Sequence, residues 1–80
     1  MENFYEAFEK YIKGQKVVSP ASYAPYGNRN IPDDQRYYGD GMVFENGYMI
    51  LYHGGGCSGE DCNTTFIVDG KGKLIARNDW

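Results

Sequence analysis

The first twelve residues carry the clearest periodicity in the chain. Met1, Phe4, Tyr5, Phe8, Tyr11 and Ile12 recur at i, i+3, i+4, i+7, i+10 and i+11, the spacing that lines one face of a helix with apolar groups. Glu6 precedes Lys10, and Glu9 precedes Lys13, in the favourable acid-first order four residues apart. Asn3 followed by Glu6 reads as a capping box, and Gly14 stands where a helix C-cap belongs. The period then vanishes. Residues 15 to 41 show no sustained alternation: Val17 and Val18 suggest a short extended piece, and Pro32 with Asp33 and Asp34 suggests one helical turn ending near Tyr38.

The second half is punctuated as a β-meander. Met42 to Glu45 reads as a short strand, Asn46-Gly47 as a hairpin turn, and Tyr48 to His53 as the returning strand. In YMILYH both alternating sets are mostly apolar, which predicts a central strand covered on both faces. Thr64 to Asp69 is the next strand, and Gly70-Lys71-Gly72 turns the chain into Lys73 to Arg77. The expected fold is α+β: one amphipathic N-terminal helix packed on an antiparallel meander of about four strands, with a long ordered tyrosine-rich loop.

Length narrows this picture. Eighty residues make a single domain, 1 to 80, too small for a large enclosed cavity. A domain of this size has a narrow stability margin, which a covalent staple or homodimerisation would widen. Eight tyrosines, four phenylalanines and one tryptophan argue for a real core and against disorder. No stretch is long and apolar enough to span a membrane. The opening MENFYEAFEK carries acids where a secretory signal would carry bases, so the expected compartment is the cytosol of the host cell.

Charge is uneven. Between Ile31 and Asp69 seven acids (Asp33, Asp34, Asp40, Glu45, Glu60, Asp61, Asp69) face one base, Arg36. Such a block repels nucleic acid and anionic membrane, and it attracts a basic protein surface. The alternative is a solvated acidic face that serves solubility.

The stretch HGGGCSGEDC, residues 53 to 62, holds the densest chemistry. His53, Cys57 and Cys62 offer soft or borderline ligands beside Asp61, but His-x3-Cys-x4-Cys matches no structural zinc pattern. Cys57 and Cys62 suit a disulfide across a hairpin loop, worth roughly 2 kcal/mol if unstrained, or a pair of reduced thiols in a cytosolic chain. Redox catalysis fits less well, since Glu60 and Asp61 would raise the thiol pKa values. Gly54, Gly55 and Gly56 lack the Gly-Lys-Ser/Thr and helix start of a phosphate cradle. A Cys57/His53 nucleophile pair lacks an orienting third group. The reading assigns no catalytic residue, no metal and no cofactor.

The long loop has the composition of a binding surface. Tyr23, Tyr26, Tyr37 and Tyr38 are interleaved with Asn28, Arg29, Asn30 and Arg36. Tyrosine and arginine are enriched where proteins recognise partners. The competing reading is that these tyrosines cover the sheet and thicken a thin core.

A helix ending in KGQKV, then GYMILYH, FIVDGKGKL and a terminal NDW, resembles the order of elements in a family of small phage proteins that sequester the nucleotide signal of Thoeris defence. The loop SPASYAPYGNRNIPDD stands where that family has an aromatic segment. The compact acidic character is also similar in type to phage anti-CRISPR proteins. Together these imply a non-enzymatic phage or mobile-element inhibitor that occludes a larger protein, such as a nucleic-acid-binding defence complex. The expected contacts are Tyr23, Tyr26, Arg29, Asp33, Asp34, Arg36, Tyr37, Tyr38, Asp40, Glu60 and Asp61. Two alternatives stand beside it: a nucleotide-sequestering binder, and a small redox or metal-binding protein centred on Cys57 and Cys62.

Overall fold

The computed structural model describes residues 1–23, 32, 35–54 and 63–80. It is an α+β fold in which an N-terminal helix packs on a five-stranded antiparallel sheet. The helix begins as α1 (Phe4–Ala7) and continues as a π-helical segment (Phe8–Ile12). The strands are β1 (Val17–Tyr23), β2 (Gly39–Phe44), β3 (Met49–His53), β4 (Thr64–Val68) and β5 (Leu74–Asp79). Each pairs with the next, so their order in the sheet follows the chain.

The helix starts as its cap dictates. The Asn3 side chain accepts a hydrogen bond from the Glu6 N–H at 3.1 Å, satisfying one of the unpaired donors of the first turn. The widened turn that follows, in which the Lys13 N–H donates to the Phe8 carbonyl at 2.9 Å, changes the buried face. Phe4, Ala7 and Ile12 face the sheet, while Tyr5 and Phe8, expected on the apolar face, are 59% and 38% exposed.

The fifth strand is the main departure from the expected four. β1 runs seven residues where only Val17 and Val18 suggested extended chain, and it passes through Pro20. An outer strand tolerates proline, and β1 is outermost, mostly exposed and irregular in register between Val17 and Ser19. β3 is central, as its pattern predicts, but β4 is the more deeply covered, with all five residues buried.

Both tight hairpins use the same turn. The Gly47 N–H donates to the Phe44 carbonyl and the Gly72 N–H to the Asp69 carbonyl, and both glycines sit at positive φ (88° and 84°). That is a type I turn closed by a left-handed residue, so Glu45 belongs to the turn and not to the strand. Asn46 also ties the first hairpin to the helix, its amide donating to the Tyr11 carbonyl at 2.8 Å. In the second, the Asp69 carboxylate accepts the Lys71 and Lys73 N–H groups, each at 2.9 Å.

Alternation along the strands divides the core in two. On the helix face Phe4, Ala7 and Ile12 pack with Phe44, Ile67 and Ala76. On the opposite face Leu51, Phe66, Val68 and Leu74 are covered by Tyr37, Tyr38, Ala21 and Met49. Of the helical turn expected from Pro32 to near Tyr38, the described residues show a hydrogen bond of 2.9 Å from the Gln35 N–H to the Pro32 carbonyl, and residues 36–38 are non-helical; Asp33 and Asp34 lie outside the described residues.

Candidate interaction surface at the loop end of the sheet

A meander has two ends, and here they differ. One end carries the two tight turns. At the other, β1 finishes at Tyr23, β2 starts at Gly39, β3 finishes at His53, β4 starts at Thr64 and β5 finishes at Asp79. The β1–β2 and β3–β4 connections, which contain all but two of the expected contact residues, therefore leave from the same end; Tyr23 closes β1 and Asp40 lies on β2, both at that end.

The described part of the tyrosine segment is anchored on the sheet. The Tyr38 ring lies 5.0 Å from Phe66 and 4.8 Å, edge on, from His53, centroid to centroid. Tyr23 and Tyr37 meet at 4.7 Å, so the last residue of β1 touches the chain as it returns. The Tyr37 hydroxyl donates to the Gly72 carbonyl at 2.8 Å, spanning toward the turn end. Burial, then the neighbouring Tyr23 and Asp69, pushes the Tyr37 phenol above its ordinary range. Tyr37 and Tyr38 thus serve as cover for the core, and their rings remain half-exposed.

Asp40 is exposed on β2 and accepts a hydrogen bond from the Ser22 hydroxyl at 2.7 Å. Close approach of the strands fixes this corner: a side chain at Gly41 would overlap the Ile50 carbonyl, and one at Gly39 the Tyr52 carbonyl. Arg36 and His53 are half-buried. Tyr26, Arg29, Asp33, Asp34, Glu60, Asp61, Cys57 and Cys62 lie outside the described residues, and with them the question of a disulfide or thiol pair. Among the described residues no three His, Cys, Asp or Glu side chains gather as a metal site. Nor is any described helix long and apolar enough to cross a membrane.

Two features escaped the sequence reading. At the end of β5, Asp79 accepts from the Thr64 hydroxyl at 2.8 Å and pairs with Arg77 at 3.0 Å; these bonds, Arg77 foremost, hold its carboxyl below the usual range. On the loop-covered face a shallow groove of about 370 Å³ is lined by Tyr23, Gln35, Tyr37, Lys71, Lys73 and Leu74. Its two lysines sit some fifty residues from Tyr23 in the chain, so no local motif could join them. Lys71 and Lys73 are the turn residues whose backbone Asp69 fixes, and their side chains are exposed beside the aromatic pair.

In comparisons with known proteins, no family model matches the chain, and neither the curated proteins nor the solved structures yield a match.

Proposed function

We propose that this chain is a non-enzymatic interaction protein, an inhibitor of the phage or mobile-element type that binds and occludes a basic surface of a larger defence protein. The observation that carries the reading is the common origin of the two long, chemistry-rich connections at one end of a sheet whose other end is closed by tight turns. A rigid sheet that gathers loops at one end is the usual way to build a recognition surface. The acids of those connections would steer encounter with a basic groove, and aromatic anchors would set the dissociation rate. No cofactor enters the reading, and the partner is protein, not nucleic acid or membrane.

The test is competition: the purified chain is added to CRISPR effector complexes with open nucleic-acid grooves, and target binding is followed at several salt concentrations. The expected result is inhibition that weakens with salt, with Asp33→Lys/Asp34→Lys slowing association. Effectors that bind their targets unhindered, or association indifferent to charge reversal, would count against it.

One observation favours a second reading. The Tyr23/Tyr37 groove flanked by Lys71 and Lys73 combines stacking surface with positive charge, the chemistry that holds a nucleotide. Here the chain would sequester a small anionic signal. Thermal shift against cyclic nucleotides and dinucleotides checks it, with Lys71→Glu/Lys73→Glu as control; a flat screen would dispose of it.

A further inference from the structure

The helix covers only part of its face of the sheet. Its N-terminal end lies by β5, where the Glu2 N–H donates to the Ile75 carbonyl, and its C-terminal end is tied to the first hairpin by Asn46. The corner nearest β1 and the loop end is left open. Five large side chains remain exposed around it: Tyr5 (59%), Trp80 (53%), Tyr52 (49%), Phe8 (38%) and Met42 (37%).

These residues form one surface. Tyr5 and Trp80 meet edge to face at 6.3 Å, and Phe8 lies one helical turn beyond Tyr5. The Trp80 indole N–H donates to the Thr65 hydroxyl at 2.7 Å, and Thr65 stands opposite Tyr52 in the β3–β4 register. Tyr52 in turn faces Asp40, and Met42 lies one step along the same side of β2. Polar groups rim the patch: Ser22 and Asp40 beyond Tyr52, and Asn78 beyond Thr65.

Size and charge together choose the occupant. Large side chains present roughly 150–250 Å² each, so the exposed fractions leave on the order of 500 Å² of mostly apolar surface. That lies near the upper end of what a monomer exposes, and it matches the apolar share, about two-thirds, of the roughly 800 Å² that each partner contributes to a standard interface. The strand row that crosses the patch contains one carboxylate, Asp40, already bonded to Ser22, and the helix adds the exposed Glu6 and Glu9 next to Tyr5 and Phe8, so apolar area outweighs charge on this surface. A second copy needs no charge. A two-fold contact sets aromatic and methionine surface against itself.

We infer that this open corner is a homodimer interface, in which Tyr5, Phe8, Met42, Tyr52 and Trp80 of one chain pack on the same residues of another. The inference goes beyond the inhibitor reading: the patch borders the loop end, with Asp40 at its rim, but its apolar residues lie on the helix, β2, β3 and the end of β5. It also supplies burial that an 80-residue domain lacks.

Sedimentation velocity and native mass spectrometry of the full chain, from low micromolar to near-millimolar concentration, test it. The expected result is reversible conversion from the 9.1 kDa chain to a species of twice that mass. Tyr52→Glu and Met42→Glu should each weaken the dimer by at least about tenfold while keeping the wild-type circular dichroism spectrum, and Lys71→Glu should leave it unchanged. Because a patch variant could misfold, the wild type also provides a reading: oxidative labelling of Met42 and Trp80 should fall as concentration rises. A chain that stays monomeric throughout, a dimer indifferent to both substitutions, or labelling independent of concentration would overturn the inference.

Discussion

The two faces of this sheet solve the same problem by different means. On one, a capped helix of nine residues brings Phe4, Ala7 and Ile12 onto Ile67 and Ala76. On the other, a non-repetitive stretch lays Tyr37 and Tyr38 across Leu51, Phe66, Val68 and Leu74. The helix satisfies its own backbone and needs only an apolar stripe. The irregular stretch instead ties itself down by side chains, as the Tyr37 hydroxyl does at Gly72. Irregular cover therefore uses tyrosine, which offers area and a hydrogen bond together.

The largest expected effect asks whether the two covers are equally firm. Phe66 and Ile67 are neighbours on β4, both fully buried, and they point to opposite faces. Phe66→Ala should cost about 3–5 kcal/mol and Ile67→Ala about 2–5 kcal/mol, measured by urea unfolding. If Phe66→Ala costs clearly less than Ile67→Ala, the tyrosine cover collapses into the cavity and is the softer of the two. Either loss takes a large share of the stability of so small a domain.

The same contrast explains what was legible beforehand. The helix, both hairpins and the buried strands announce themselves within a few residues, through Asn3, Asn46-Gly47 and the alternation of YMILYH. β1 does not, because an exposed outer strand has no buried side to impose alternation, and Ser19, Pro20 and Ser22 look like loop. The widened helical turn was equally silent: Phe8, expected on the apolar face, is 38% exposed, while Ile12 is buried as the apolar stripe predicts. For the site, Tyr23, Tyr37, Tyr38 and Asp40 were singled out by composition. What they touch was not readable, since Tyr37 meets Gly72 thirty-five residues away and Trp80 meets Tyr5 across almost the whole chain.

A smaller effect isolates the tether of the irregular cover. Tyr37→Phe removes the bond to Gly72 and should cost about 1 kcal/mol, since water can take over the exposed carbonyl. The pH dependence adds a signature. Burial raises the Tyr37 phenol in the folded state, so its contribution is fully present below the ordinary tyrosine value near 10 and is lost as pH rises through the higher folded value. The gap between wild type and Tyr37→Phe should therefore narrow in strongly alkaline solution. A gap constant across that range would mean that the hydroxyl does not hold the cover down.

The smallest effect lies at the opposite end of the same face, where Asp79 joins β4 to β5 through Thr64 and Arg77. Its carboxyl is held low by the Arg77 hydrogen bond first and the Thr64 hydroxyl second, so its contribution is complete above the ordinary aspartate value near 4 and disappears as pH falls through the lower folded value. The Arg77 and Asp79 side chains are 35% and 63% exposed, and water screens them, so Asp79→Asn should cost under about 1 kcal/mol at neutral pH and nothing in strong acid. A comparable loss at both pH values would assign the cost to the shape of the Thr64 contact and not to charge. The two titrations then work in opposite directions on one face: alkali loosens its anchor near the turns, and acid loosens the end from which the loops depart.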